Sequence, residues 1–191
     1  MKKFIVLAGV LTLVAPLAIA QTSTWIPDKN HSEVDFSILH MSLSKVRGKF
    51  GNISGSIVMN EADISKSTVN VTIDATTVDT GVAARDSDLK SPNFFDVAQF
   101  PTATFVSTSV AKSGNGLTVM GNLTLHGVTK PVTLNVEGPT GPVQGMDKKP
   151  HEGFEATTTI KRTDFGIATK VPAAVVGDEV QLTINLDMAK Q

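Results

Sequence analysis

Apolar and polar residues alternate with a period of two through most of this chain. The pattern is clearest at Val34–Ile38, Val69–Asp74, Val132–Val136 and Val180–Met188. Successive side chains of a strand point to opposite faces, so each segment would have one buried face and one wetted face. This arrangement is typical of antiparallel sheet, and clusters of Gly, Asn and Pro between the segments indicate turns.

The alternating segments predict an all-β fold with about eight strands in a single domain spanning residues 21–191. The predicted strands lie near 31–41, 45–59, 67–79, 101–112, 116–126, 128–138, 152–163 and 178–189. Eight antiparallel strands with a consistent apolar face can close into a β-barrel whose interior holds one small ligand.

Two segments interrupt the predicted strands. Residues 80–96 lack alternation, and the segment near 80–92 predicts one short helix, with Thr80 as its N-cap and Pro92 ending it. Residues 138–151 are rich in Gly, Pro and Lys and predict a long, mobile hairpin loop. The stretch Arg85–Asp96, RDSDLKSPNFFD, therefore lies at one end of the barrel.

Residues 1–20 have the layout of a secretory signal peptide. Lys2 and Lys3 precede an apolar run that ends in Ala18-Ile19-Ala20, where small residues suit the signal peptidase. We expect cleavage after Ala20 and a periplasmic or secreted protein. An uncleaved N-terminal anchor is the alternative. No later apolar run is long enough to span a membrane.

Composition excludes several classes of function. The chain has 17 basic and 18 acidic residues and no basic stripe, which argues against a nucleic-acid partner. It contains no cysteine, so disulfides and thiol catalysis are excluded.

The sequence contains no recognisable metal, cofactor or nucleophile motif. The four histidines, His31, His40, His126 and His151, show none of the usual metal-ligand spacings. There is no G-x-S-x-G nucleophile elbow and no phosphate-binding glycine loop. We therefore expect no metal, no cofactor and no catalytic residue, with His40 and His126 at strand ends.

The aromatic residues favour a dry interior. After residue 20 the chain has eight phenylalanines, one tryptophan and no tyrosine. Because Tyr and Trp carry a polar group and Phe does not, this set suits an apolar surface better than a carbohydrate-binding one. These rings would either fill the core or line a cavity.

Several blocks of the sequence together resemble the YceI family of bacterial polyisoprenoid-binding proteins. In chain order they are DKNHSEVDFSILH (28–40), VRGKFGNISGSI (46–57), DT (79–80), RDSDLKSPNFFDVAQFPTATFVS (85–107), GNLTLHGVTKPVTLNV (121–136) and IKRTDFG (160–166). The resemblance covers nearly all of the chain after residue 20.

The resemblance implies a lipocalin-like barrel, export from the cytoplasm, and a long isoprenoid or similar amphiphile held in an apolar tunnel. It also implies a possible homodimer. One position departs from the family: the Arg-Asp-x-His-Leu block has Asp88 in place of the histidine, which leaves the identity of a lipid headgroup open.

On this interpretation the inward side chains bind the lipid, and Phe94 and Phe95 close one end. The expected ligand-binding residues are Phe36, Ile38, His40, Phe50, Phe94, Phe95, Phe105, Leu123, Leu125, Ile160, Leu182 and Ile184. Four charged residues are expected to be structural: Arg85, Asp86, Arg162 and Asp164. Arg85 and Asp86 would form a charge pair that fixes their loop.

The expected function is non-catalytic binding, transport or storage of a polyisoprenoid or similar long-chain lipid. Two alternatives stay open. The first is an enzyme acting on a prenyl lipid, with Asp86, Arg162 or His40 as acid or base. The second is a stress-response structural protein whose interior is filled by its own side chains.

Overall fold

The computed structural model describes residues 22–191. The predicted signal peptide therefore lies outside the described residues. The strands are β1 (Thr22–Pro27), β2 (Glu33–His40), β3 (Ser44–Phe50), β4 (Ser54–Asn60), β5 (Thr68–Asp74), β6 (Thr102–Ser113), β7 (Gly116–Leu125), β8 (Val128–Gln144), β9 (Pro150–Lys161) and β10 (Val176–Lys190). One α-helix, α1 (Ala83–Lys90), and 3₁₀ helices at Ile64–Lys66, Ala75–Thr77 and Arg162–Phe165 complete the described elements.

All the strand pairs are antiparallel, and they close into a barrel with eight positions around its circumference. From β4 to β10 each strand pairs with the next in sequence. The first four strands share two positions. β1 and β2 lie end to end along one edge of β10, and β3 and β4 lie end to end beside them. Pairing of β4 with β5 closes the ring. The prediction of an eight-stranded antiparallel barrel with one short helix is confirmed.

The structure differs from the predicted strand boundaries in two places at the start of the chain. The predicted segment 45–59 is interrupted at 51–53, where Asn52 has a positive φ of 54°. Strand β1 was not predicted, because its inward positions are Ser23, Trp25 and Pro27 rather than a run of aliphatic residues.

The predicted mobile loop at 138–151 is also wrong. β8 continues to Gln144 and β9 begins at Pro150, so only 145–149 turn between them. Two register shifts, between Glu137 and Thr140 and between Thr140 and Val143, accommodate the Gly and Pro residues within the paired strands.

Helix α1 lies in the long connection between β5 and β6. Its N-cap residue is Val82, not Thr80, and its C-cap is Ser91. The connection is joined to β3 by a bridge between Lys49 and Asp79. Since β3 and the connection lie at the same end of the barrel, α1 covers that end.

The inward face of every strand of the ring contributes to an apolar interior. Two groups of buried residues lie there. The larger group includes Phe105, Val119, Leu123 and Phe165. The smaller one consists of Trp25, Ile57, Phe154 and Met188 and lies at the end of the barrel away from α1.

No helix within residues 22–191 is long and apolar enough to cross a membrane.

Candidate functional site

The barrel interior contains two adjoining apolar cavities. The one beneath α1, called the α1-side chamber, has a volume of about 130 Å³. Its lining residues are Val34, Phe36, Ile38, Phe50, Ile73, Ala75, Leu89, Phe94, Phe95, Ala103, Leu123, Leu125, Ile160, Arg162, Ile167, Val176, Val180 and Leu182.

The second cavity, called the far chamber, lies toward the other end and has a volume of about 120 Å³. Its lining residues are Val34, Ile53, Ile57, Met59, Ile64, Ser67, Val69, Val71, Ile73, Phe105, Val110, Leu117, Val119, Leu123, Val132, Leu134, Val136, Phe154, Ala156, Thr158, Leu182, Ile184 and Leu186. A water molecule needs only about 10–15 Å³, so neither chamber is a minor packing defect.

Four residues line both chambers and form the waist between them: Val34, Ile73, Leu123 and Leu182. Along β10, lining residues run from Val176 and Val180 in the α1-side chamber through Leu182 to Leu186 in the far chamber, and Leu186 is six residues beyond Val180. At about 3.3 Å per residue, these six steps span roughly 20 Å of strand. The two chambers therefore succeed one another along the length of the barrel.

The lining has very few polar groups. Ser67, Thr158 and Arg162 are its polar members, and every other lining residue is aliphatic or aromatic. An apolar cavity of this kind favours a hydrocarbon and disfavours water or ions. The interior is thus chemically suited to a long apolar chain.

Three phenylalanines form a connected series across the α1-side chamber. The rings of Phe36 and Phe50 are 5.5 Å apart, and the ring of Phe50 meets that of Phe95 edge-on at 5.3 Å. Edge-to-face contacts of this kind add to the stabilisation from burial. Phe95 thereby connects the segment after α1 to the wall formed by β2 and β3.

Two glycines make room for large rings on the inner wall. A Cβ atom at Gly48 would lie 2.5 Å from the ring of Phe36, and one at Gly121 would lie 2.4 Å from the ring of Phe105. No side chain fits at these positions while the rings stay where they are. The glycines let the rings lie flat against the sheet, which leaves the adjoining space open.

Arg162 is the charged member of the lining, and its guanidinium donates hydrogen bonds to backbone carbonyl oxygens. Its side chain is only 4% exposed. Nε donates to Gly177 O at 2.9 Å, Nη1 donates to the carbonyls of Ile167 and Ala168, and Nη2 donates to those of Val171 and Val176. All five donors of the guanidinium are therefore used. The group holds segment 167–177 over the end of the α1-side chamber.

Residues Arg85 and Asp86 are both bonded to Thr80. Asp86 Oδ1 accepts from the backbone N–H of Thr80 at 2.8 Å and from its hydroxyl at 2.5 Å. Arg85 Nε donates to Thr80 Oγ1 at 2.7 Å, and Nη2 donates to Thr80 O at 3.0 Å. The ion pairs found among the described residues do not include one between Arg85 and Asp86. The predicted charge pair is therefore wrong, and Thr80 is what joins the two side chains.

Two other charged residues of the sequence analysis lie on the surface. Asp164 is exposed, and no hydrogen bond of its side chain is seen among residues 22–191. It is Asp178 that binds this turn, accepting from the Thr163 hydroxyl at 2.7 Å. Asp88, at the position that departs from the family, is exposed on α1 and lines neither chamber.

Every predicted ligand-binding residue lines a chamber except His40. Phe36, Ile38, Phe50, Phe94, Phe95, Leu125 and Ile160 line the α1-side chamber, Phe105 and Ile184 line the far chamber, and Leu123 and Leu182 line both. His40 is exposed at the end of β2. His40 shares the face of Ile38 by strand alternation, but β2 ends at His40, so its side chain lies beyond the end of the α1-side chamber.

Many lining residues were not predicted. Val34, Val71, Val119 and Leu134 occupy inward positions of their strands, and the same alternation would have identified them. Ile64 and Leu89 belong to short helices, where no alternation marks an inward side chain.

The histidines do not gather into a metal site. Within residues 22–191, no three His, Asp or Glu side chains lie close enough together to hold a metal ion. His126 follows the end of β7, and its Nδ1 lies 3.1 Å from Phe165 O. His151 lies between Asp187 and Asp147, and hydrogen bonding to Asp187 raises the pKa of its imidazole.

Known solved structures share this architecture. BcnA of Burkholderia cenocepacia superposes with a TM-score of 0.75 at 27% identity, covering 84% of this chain and 98% of that chain. A domain from Saccharophagus degradans, described as polyisoprenoid binding and implicated in plant cell wall breakdown, superposes with a TM-score of 0.62. At 16% identity, over 90% of this chain and 100% of that one, its likeness concerns the fold.

The sequence comparisons agree with the structural ones. The family model of the YceI-like domain matches residues 25–188. Protein YceI of Salmonella newport (strain SL254) is 43% identical over 165 residues, which cover 84% of this chain and 83% of the relative. This chain belongs to the YceI family.

Proposed function

We propose that this protein binds a polyisoprenoid or similar long-chain amphiphile in its two chambers and carries or stores it without chemical change. The observation that carries the proposal is the pair of adjoining apolar chambers, which share the waist at Val34, Ile73, Leu123 and Leu182. Each methylene moved from water into such an interior contributes about 0.8 kcal/mol. The related fold from Saccharophagus degradans, described as a polyisoprenoid binding domain, supports the same class of ligand.

The placement of the acid and base candidates favours binding over catalysis. Asp86 is bonded to Thr80, the donors of Arg162 are bonded to five carbonyls, and His40 is exposed outside the chambers. An acid or base catalyst needs an ionisable atom within hydrogen-bonding reach of the reacting group. The protein is therefore proposed to be a binding protein rather than an enzyme.

The proposal includes export. Residues 1–20 have the three-part layout of a signal peptide, so we expect the working protein to begin at Gln21 in the periplasm or outside the cell. Cell fractionation followed by intact-mass measurement tests this directly. A cytoplasmic protein that retains Met1 would contradict it.

The ligand itself is tested by denaturing mass spectrometry of protein purified without detergent. We expect an extractable lipid with a long apolar tail.

The matched experiment uses Leu182→Trp, which places a large ring in the waist, and Gln181→Trp, which places the same ring at the exposed neighbouring position of β10. Leu182→Trp should reduce lipid retention or select shorter tails, while Gln181→Trp should retain the lipid. Equal retention by both variants, or failure of the unmodified protein to bind any amphiphile, would contradict the proposal.

A further inference from the structure

A group of exposed apolar side chains lies at the α1 end of the barrel, beside the α1-side chamber. Leu43 is 84% exposed, Met41 54%, Leu39 46% and Val175 42%. Leu39 lies near the end of β2, and Met41 and Leu43 lie in the turn between β2 and β3. The backbone N–H of Met41 donates to Val175 O at 2.8 Å, which joins Val175 to them. These four residues are called the hairpin tip.

The hairpin tip adjoins the chamber through its own strands. Ile38 and Val176 line the α1-side chamber, and each is the immediate neighbour of an exposed member of the tip. The turn is closed by a backbone hydrogen bond, since Leu43 N donates to His40 O at 3.0 Å, and both Met41 and Ser42 have positive φ. The structure thus presents these apolar side chains outward beside the end of the chamber, and a group of exposed apolar side chains often marks an interaction surface.

Positive charge flanks the tip. Lys45 and Arg47 are exposed on the outer face of β3, and residues 39–47 contain no acidic residue. Lys45 Nζ donates to Gln181 Oε1 at 3.1 Å. Arg47 makes no ion pair and no side-chain hydrogen bond within the described part of the chain. Apolar side chains bordered by cations are the pattern by which proteins bind the surface of an anionic bilayer.

A second copy of the chain fits this surface less well. Four side chains offer far less than the 1,200–2,000 Å² or so that a stable protein interface buries. Pairing of two β3 edges would also bring Lys45 and Arg47 of one copy toward the same cations of the other, which disfavours the pair.

We propose that the hairpin tip docks on an anionic lipid surface, where it brings the end of the α1-side chamber to the bilayer from which the ligand enters or leaves. The purpose of docking rests on the proposed lipid-binding function. The docking itself is independent of whether a lipid occupies the chambers.

Vesicle flotation tests the docking with matched variants. Vesicles of phosphatidylglycerol mixed with phosphatidylcholine are compared with vesicles of phosphatidylcholine alone. Leu43→Ser should weaken binding to the anionic vesicles about tenfold, because one leucine no longer enters the interface. The control is Met146→Ser, which removes a fully exposed apolar side chain from the β8–β9 turn at the opposite end. Equal binding by Leu43→Ser and Met146→Ser would overturn the proposal.

The charge requirement is tested separately. The double variant Lys45→Gln, Arg47→Gln should bind anionic vesicles roughly 25-fold more weakly, since each cation near such a surface strengthens binding about fivefold. Binding to phosphatidylcholine vesicles should change little. An effect of the same size on both kinds of vesicle would contradict electrostatic docking.

The orientation is tested with a fluorescent probe, because the chain contains no cysteine. A polarity-sensitive dye on Ser44→Cys should shift to the blue when anionic vesicles are added, and the same dye on Met146→Cys should not. This readout reports the face that touches the bilayer whatever residues 1–20 contribute to binding. A shift at Met146→Cys alone, or at neither site, would overturn the proposal.

Two further measurements distinguish docking on a membrane from association between copies of the chain and from lipid binding in the chambers. If Leu43→Ser changes the sedimentation coefficient but not vesicle binding, the tip is an interface between copies and docking is wrong. Mass spectrometry of lipid co-purifying with Leu43→Ser tests the proposed function by itself. A retained lipid together with unchanged vesicle binding would leave the binding function standing and overturn only the docking.

Discussion

At the scale of single residues, Arg162 shows how a buried charge can be accommodated without an acidic partner. Its guanidinium is surrounded by five carbonyl oxygens from segment 167–177. Carbonyl dipoles replace the water that the cation loses on burial. In return the guanidinium donates to carbonyls of the turns at 167–171 and of the irregular start of β10, where the strand register shifts.

Replacing Arg162 should therefore be costly. Arg162→Met removes five donated hydrogen bonds from buried backbone carbonyls and should lower the free energy of unfolding by about 3–5 kcal/mol. Arg162→Lys restores at most three donors and should recover only part of the loss. Urea denaturation measures both, with the exposed neighbour Lys161→Met as control. A loss below about 1 kcal/mol in Arg162→Met would show that the segment is held by other contacts.

His151 gives a second prediction at this scale, concerning pH. Its Nδ1 lies 2.5 Å from Asp187 Oδ1, and this hydrogen bond raises the pKa of the folded-state imidazole above its ordinary value of about 6.5. The charged pair therefore contributes its full stability below about pH 6.5 and loses it as the pH rises through the folded-state pKa.

We expect His151→Gln to reduce the free energy of unfolding more at pH 5.5 than at pH 9, since the attraction between the imidazolium and the Asp187 carboxylate exists only when His151 is protonated. Denaturation curves at the two pH values measure the difference. In an Asp187→Asn background the same substitution should show a smaller pH dependence. A cost of His151→Gln that grows with pH would contradict the assigned sign.

At the scale of elements, the connection from Asp79 to Pro101 is anchored at both ends of its helix. Thr80 joins Arg85 and Asp86 on one side of α1. On the other side, Phe94 and Phe95 line the α1-side chamber, and Phe95 meets Phe50 edge-on. Helix α1 has no fully buried residue of its own, so these contacts, together with Leu89 in the chamber lining, hold it against the barrel.

Phe95→Ala should weaken that attachment. We expect a loss of about 2–3 kcal/mol in the free energy of unfolding, because the ring is partly buried and leaves a cavity against Phe50. The control is Val82→Ala at the exposed N-cap of α1, which should cost little. Loss of stability in lipid-free protein would show that the ring closes the chamber. If stability is unchanged and only lipid retention falls, the ring serves as a ligand contact alone.

At the scale of the whole molecule, two of the eight positions around the barrel are each filled by two short strands that lie end to end. β10 pairs with β2 along its first part and with β1 at Met188–Lys190. The short β1 contact brings Trp25 against Ile57, Phe154 and Met188. This cluster packs the end of the barrel away from α1, and its members Ile57 and Phe154 form part of the wall of the far chamber.

Trp25→Ala should therefore destabilise the closed ring. We expect a loss of about 3–5 kcal/mol in the free energy of unfolding, as is usual when a buried tryptophan is removed from a packed cluster. Thr24→Ala on the exposed face of the same strand is the control. Far-ultraviolet circular dichroism is the suitable readout, because Trp25 is the sole tryptophan. Equal stabilities would mean that β1 contributes little to closure.

The sequence by itself determined the class of fold, the inward face of most strands and the family. Alternation is a local property, since the side chains of a strand must point to opposite faces whichever strand lies next to it. Positions such as Phe36, Leu123 and Leu182 could therefore be assigned to the interior from their own neighbourhoods. The family followed from blocks of residues spread along the chain.

Only the tertiary structure decided which strands pair, and whether the interior is filled or open. Strand β1 joins the barrel although its inward residues include Ser23 and Pro27, because its partners on β4 and β10 supply the contacts. The rings of Phe36 and Phe105 lie against Gly48 and Gly121, where no side chain would fit beside them. Each glycine belongs to a different strand from the ring that it contacts. Likewise, the folded barrel determines which backbone carbonyls Arg162 binds. It also determines that His40 lies outside the α1-side chamber. Pairing and packing depend on residues far apart in sequence, and local periodicity contains no information about them.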